Sequence, residues 1–134
     1  MRRSSILFLL CVAVTFSFQH TGLAAEAGPV DTVQSFYQAS ADGDVETMKA
    51  LITGPFYKRR QKLLEDNQGY ADFLKGYYFR VNSEIVSTDM EESTGKAVIV
   101  VSQTFQDGSR INTTLYLIEG NDGTWKINDE LLTE

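Results

Sequence analysis

The segment Lys96–Ile127, KAVIVVSQTFQDGSRINTTLYLIEGNDGTWKI, constrains this chain most. Two glycine-bearing turns cut it into three consecutive runs rich in β-branched and aromatic residues. Asp107-Gly108 marks a tight hairpin, because Gly accepts the positive φ that such turns need. Asn121-Asp122-Gly123 marks a second turn. Centring the first hairpin on Asp107-Gly108 predicts that Val98 faces Leu117, Val100 faces Leu115 and Thr104 faces Ile111. The opposite face then carries Ile99, Val101 and Phe105 against Tyr116, Thr114 and Arg110. A second turn at Asn121-Asp122 or Asp122-Gly123 adds Trp125 and Ile127 to the Tyr116 and Ile118 face. On this register both faces are apolar near the base and polar toward the hairpin tip. Such a sheet needs cover on both sides.

The preceding residues supply that cover. Pro29–Ala41 reads as a helix, with Pro29 in the first turn, Asp31 at its positive end, and Val30, Val33, Tyr37 and Ser40 along one face. Asp42-Gly43-Asp44 breaks it, and Asp44 caps a second helix over Val45–Ile52. Thr53-Gly54-Pro55 ends that one. A third helix is expected over Phe56–Asn67, and one or two more helical turns over Tyr70–Lys75. Tyr77–Ser87 alternates as a strand, and the last strand is expected to reach about Leu131. Helices first and then a meander of about four strands make an α+β layout, with helices gathered on one side of a curved antiparallel sheet.

The first residues read differently. Arg2 and Arg3 precede the apolar run Ile6–Phe18, ILFLLCVAVTFSF, which is too short to span a bilayer and suits a signal-peptide core. Cleavage is expected after Ala25 or Ala27. The expected division is a signal peptide over 1–27 and one domain over 28–134, exported to the periplasm or the extracellular space. Membrane contact is then expected only through the uncleaved leader. The net charge of −6 argues against a nucleic-acid partner. The only Cys, Cys11, and the only His, His20, fall in the leader. The expected domain thus has no thiol nucleophile, imidazole base, disulfide or His/Cys metal ligand, and the usual serine, cysteine and zinc hydrolase mechanisms lose a key member. Neither a cofactor nor a metal is expected.

Three places in this order resemble the nuclear transport factor two-like superfamily, the cystatin-like cones. They are Val33-Gln34-Ser35-Phe36-Tyr37-Gln38-Ala39 with the break Asp42-Gly43-Asp44; Ala97, Ile99 and Val101 before Asp107-Gly108; and Gly123-Thr124-Trp125-Lys126-Ile127. The chain is most similar to small secreted bacterial members without an assigned activity. The resemblance implies a cone whose helices close one mouth of a bent sheet over a pocket. Some members are isomerases, cyclases or dehydratases, and many only bind. Cyclase-like and dehydratase-like members place His in the pocket, which this chain cannot do. Steroid-isomerase-like members use Tyr and Asp.

The expected pocket face carries Tyr37, Gln103, Asn112, Tyr116 and Asp129 as ligand-binding candidates, with Arg110 near the tip. Asp129 follows Ile127 by two, so alternation aims it the same way. A carboxylate beside Tyr in an apolar cup is capable of proton transfer. The competing reading leaves Asp129 in water at the strand end. The basic run Lys58, Arg59, Arg60 and Lys62 reads as an anion site or, more simply, as a solvated helix face in which Arg59 and Lys62 pair with Glu65 and Asp66. On the predicted register Val98, Val100, Ile111, Leu115 and Leu117 form an outer apolar row, which suggests a homodimer, as many relatives form. The leading expectation is an exported domain binding a small amphipathic molecule or a peptide. The alternatives are an isomerase- or dehydratase-like enzyme using Asp129 and a Tyr, and an envelope scaffold dimerising through its sheet.

Overall fold

The computed structural model describes residues 27–133. The expected leader, with Cys11 and His20, lies outside the described residues apart from Ala27. Four helices come first: α1 (Pro29–Asp42), α2 (Val45–Leu51), α3 (Gly54–Asp66) and α4 (Tyr70–Tyr77). Four strands follow: β1 (Asn82–Glu91), β2 (Lys96–Thr104), β3 (Arg110–Glu119) and β4 (Trp125–Thr133). They form one antiparallel sheet in the order β1-β2-β3-β4. The expected α+β order and the helical reading of residues 29–75 hold.

Local chemistry sets the helix ends. Asp31 Oδ2 accepts from the Gly28 amide at the start of α1, and Pro29 occupies the first turn, where no amide is needed. Asp44 caps α2, accepting from the Thr47 amide at 3.2 Å and from the Thr47 hydroxyl at 2.6 Å. The expected strand start at Tyr77 is overturned. Tyr77 still belongs to α4, the Tyr78 amide donates to Leu74 O, and Arg80 takes φ 57°. That left-handed turn delays β1 until Asn82 and lets it run on to Glu91.

The predicted hairpin register is off by one. Thr104 pairs with Arg110, Val98 with Tyr116 and Ala97 with Leu117. The cause is loop parity. Phe105 N–H donates to Ser109 O and Gly108 N–H to Phe105 O, so residues 106–108 form the loop. Asp107 Oδ1 accepts from both the amide and the hydroxyl of Ser109, and Gly108 takes φ 84°. The second hairpin repeats the device: Asp122 Oδ1 accepts from the Thr124 amide and hydroxyl, Gly120 N–H donates to Thr124 O, and Gly123 takes φ 79°. An odd loop with a left-handed Gly shifts the pairing by one residue relative to a two-residue turn.

The shift collects the apolar side chains on one face. Ala97, Ile99, Val101, Leu115, Leu117 and Ile127 are all buried against the helices, together with Val33, Phe36, Met48, Phe56 and Leu74. Trp125 packs against the same cluster, half-buried, and remains opposite Val98. The expected outer row is accordingly corrected. Leu115 and Leu117 are buried inside, Ile111 shares the inner face with its partner Gln103, and only Val98 and Val100 lie outside. Tyr116 moves to the outer face and is 40% exposed.

A bulge resets β4. Tyr116 pairs with Asp129 and Leu117 with Ile127, leaving Asn128 as the extra residue. The face of every later residue is reversed: Asp129 goes outward with Tyr116, and Glu130 goes inward with Leu115. Helix α3 straddles this edge strand. Arg59 pairs with Asp129 on one side of it and Arg60 with Glu130 on the other, at 2.7 Å. The expected in-helix pairs of Arg59 and Lys62 with Glu65 and Asp66 do not form: Arg59 goes to Asp129, and Glu65 accepts from Tyr57 and Gln61. The Thr53 amide donates to Ile127 O at 2.9 Å just before α3, so the edge backbone is partly covered as well.

Candidate functional site

The reversal at Asn128 builds the site. Beneath the helices lies a pocket of about 310 Å³ whose floor comes from Gln103 on β2, Thr113 on β3 and Glu130 on β4, with Leu132 of β4 at its edge. Phe36 and Tyr37 of α1 form one wall. Arg60 and Leu63 of α3 form a second. Tyr70, Phe73, Leu74 and Tyr77 of α4, followed by Tyr78, close the roof.

The interior is polar and the rim apolar. Gln103 and Thr113 are buried, and the Arg60 and Glu130 side chains are only 25% and 16% exposed. At the mouth, by contrast, Leu63, Phe73, Tyr77 and Leu132 are exposed. Tyr70, Phe73 and Tyr77 follow helical spacing on α4, and their rings stack in succession at centroid distances of 6.3 and 6.0 Å.

Each inner polar group is held. The Arg60 guanidinium lies 4.5 Å from the Phe56 ring centroid. Burial works against its charge, but Glu130, through proximity and hydrogen bonding, outweighs burial and raises the Arg60 pKa above its ordinary value. Burial also raises the Tyr37 hydroxyl, reinforced by Tyr78 and Glu130 and opposed by hydrogen bonding from Thr113. Tyr78 is raised by burial too, while hydrogen bonding from Gln103 pulls the other way. Their rings meet edge to face at 6.3 Å. The two phenols thus stay neutral at physiological pH and are able to donate as well as accept. Tyr37 and Tyr78 also border an adjoining space of about 320 Å³ between α1 and β1, lined by Gln38, Ser83 and Val101.

The five expected binding residues separate into two groups. Tyr37 and Gln103 line the inner pocket. Asn112 pairs with Ser102 on the outer face, where Tyr116 and Asp129 also lie. Tyr116 and Asp129 border an open groove of about 710 Å³ with Asp89, Met90 and Lys96. That groove is the larger space, but its floor is a sheet face with half-exposed side chains and no convergent buried polar groups. The inner pocket has them and is the candidate site. Asp129 is half-exposed, and its hydrogen bonds from Arg59 and the Glu130 amide hold its carboxyl below the usual range. It is not the pocket carboxylate. Glu130, Thr113 and Tyr78 occupy the pocket without having been singled out, and Arg60, expected as part of a basic run on α3, joins them there. The consecutive pairs Arg59-Arg60 and Asp129-Glu130 were the available signal, since neighbours on a strand point to opposite faces and each acid finds its own arginine. Among the described residues no group of three or more Asp, Glu, His or Cys could hold a metal ion.

Helices packed on one face of a curved four-stranded antiparallel sheet, with the candidate pocket between the two layers, define an α+β domain. No family model matches the chain, and no curated protein matches it. Among solved structures it is similar to an NTF2-like protein of unknown function from Shewanella baltica OS155, with TM-score 0.52 and 13% identity over 78% of this chain and 88% of that one. It is also similar to a SEC-C motif containing protein from Rhodopseudomonas palustris, with TM-score 0.51 and 14% identity over 81% of this chain and 80% of that one. The fold is NTF2-like, as the sequence resemblance implied, and at this level of identity the likeness speaks for the fold alone.

Proposed function

We propose that this protein is an exported ligand-binding domain that holds a small amphipathic molecule in its inner pocket. One observation carries the reading: buried hydrogen-bonding side chains converge at the floor while large apolar side chains stand exposed at the mouth. Apolar side chains left in water at a concave rim are stabilised when a ligand covers them, at about 25 cal/mol per Å² removed from water. The volume of about 310 Å³ suits a ligand of one or two rings or a short chain. Export is supported by the apolar run Ile6–Phe18 and the small residues before Gly28. An isomerase built on Asp129 lacks its base here, because Asp129 faces away from the pocket.

The test is native mass spectrometry of the protein purified under native conditions from its own host, beside the rim variants Phe73→Ala and Leu132→Glu. Both positions are more than half exposed, so neither change should affect folding. The reading expects a retained small molecule in the parent protein that is depleted in both variants. An empty parent that also fails to take up apolar dyes would sink it.

A further inference from the structure

We infer that the inner pocket selects an uncharged, oxygen-bearing apolar ligand and rejects carboxylates and sulfonates of the same shape. The inference rests on the ligand-binding reading and adds the chemical class. Arg60 looks at first like an anion anchor. However, Glu130 already occupies it at 2.7 Å, and the two side chains are among the least exposed charges of the fold. An incoming anion would have to share Arg60 with Glu130 and lie beside a like charge in a poorly hydrated cup. Displacing Glu130 instead would leave a mostly buried carboxylate unpaired, which is costly. A cation meets the same obstacle from Arg60. The remaining polar groups, Tyr37, Tyr78, Gln103 and Thr113, are neutral. They match a hydroxyl, carbonyl or ether oxygen, while the rim covers rings or chain.

The other basic side chains of α3 lie apart from this site. Lys58 and Lys62 are exposed, and neither lines the pocket. Arg59 is taken up by Asp129 on the other side of β4. The described structure therefore sets one balanced pair at the pocket floor and no unbalanced positive charge beside it.

Two dyes with the same ring system test this. Phenylnaphthylamine is neutral, and anilinonaphthalene sulfonate adds one negative charge. Titrated against the full domain by fluorescence, the neutral dye should bind at least about tenfold more tightly, the discrimination expected when a like charge must be accommodated. Glu130→Gln, which frees Arg60, should narrow or reverse that ratio. Leu63→Lys, at a 40% exposed rim position, should move it the same way without touching the buried pair. Equal or tighter binding of the sulfonate by the unaltered protein overturns the inference. So does a ratio that stays unchanged in both variants. If neither dye binds, this inference fails, and if the parent protein also carries no retained molecule the ligand-binding reading fails with it; a preference for the sulfonate sinks the charge argument alone.

Discussion

Gly54→Ala is the sharpest single perturbation of how the helices are seated on the sheet. Gly54 opens α3 with φ 58°, a conformation that costs an ordinary L-residue about 1–2 kcal/mol. A Cβ added there would lie 2.1 Å from Asn128 Oδ1 and 3.1 Å from its Cγ. The obstacle is the end of a side chain rather than backbone, so Asn128 has to swing aside. Driving it off its rotamer costs about 0.5–1.5 kcal/mol. The two contributions together give about 1.5–3.5 kcal/mol for Gly54→Ala. Asn128→Ala removes the obstacle and leaves the backbone strain. In the double variant the cost of alanine at position 54 should therefore fall to about 1–2 kcal/mol, a coupling of about 1 kcal/mol. Urea unfolding followed through Trp125, the only tryptophan, measures all three variants. A cost below about 0.5 kcal/mol for Gly54→Ala, or no relief from Asn128→Ala, would refute the contact between the start of α3 and the bulge of β4.

Other consequences are as direct. Leu117→Glu places a charge in the core and should cost at least about 3 kcal/mol, whereas Tyr116→Glu, one residue earlier on the outer face, should cost about 1 kcal/mol or less; similar costs at the two sites would reject the observed register. Phe56→Ala should cost about 3–5 kcal/mol by urea unfolding, because the ring is fully buried between Phe36 and Arg60. Hydrogen bonds lower the carboxyl pKa values of Asp44, Asp107, Asp122 and Asp129, mainly from Thr47, Ser109, Thr124 and Arg59 in turn. Each contribution is present above the unfolded carboxylate range of about 4 and is lost as pH falls through the lower folded value, so the urea midpoint should drop below about pH 4; a midpoint flat from pH 6 to pH 2 would contradict this. Tyr37 and Tyr78 are raised by burial, so their contribution is complete below the unfolded tyrosine value of about 10 and is lost above it. Alkaline absorbance titration should show these two phenols ionising after the exposed ones, together with loss of structure.

What could be read from the sequence follows the physics of each element. The helices were legible because their signals are local: Pro29 in a first turn, Asp44 before Val45, and apolar residues at helical spacing. Strands β2–β4 were legible as well, since β-branched runs marked off by Asp-Gly turns admit little else, whereas β1 was placed about five residues early because Tyr77 still belongs to α4. Register was not, because it depends on whether a loop holds an even or an odd number of residues. The deciding residues were Ser109 and Thr124, whose amides and hydroxyls both engage the turn aspartate and draw the loop to odd length. Tyr37 and Gln103 were placed in the pocket because neither depends on that parity. Tyr116 was lost to the register, and Asp129 to a bulge at Asn128 that alternation alone does not reveal. The same bulge delivered Glu130 to Arg60, a pairing between residues 70 apart in the chain. Long-range pairs of that kind are where a single sequence carries least information.

The most direct measurement is amide chemical-shift mapping of the labelled protein during titration with phenylnaphthylamine. The account predicts perturbations concentrated at Tyr37, Arg60, Phe73, Gln103, Thr113 and Glu130, with Val98, Tyr116 and Ile118 unmoved. Perturbations centred instead on Met90, Tyr116 and Ile118 would place recognition on the outer face and contradict the inner pocket as the functional site.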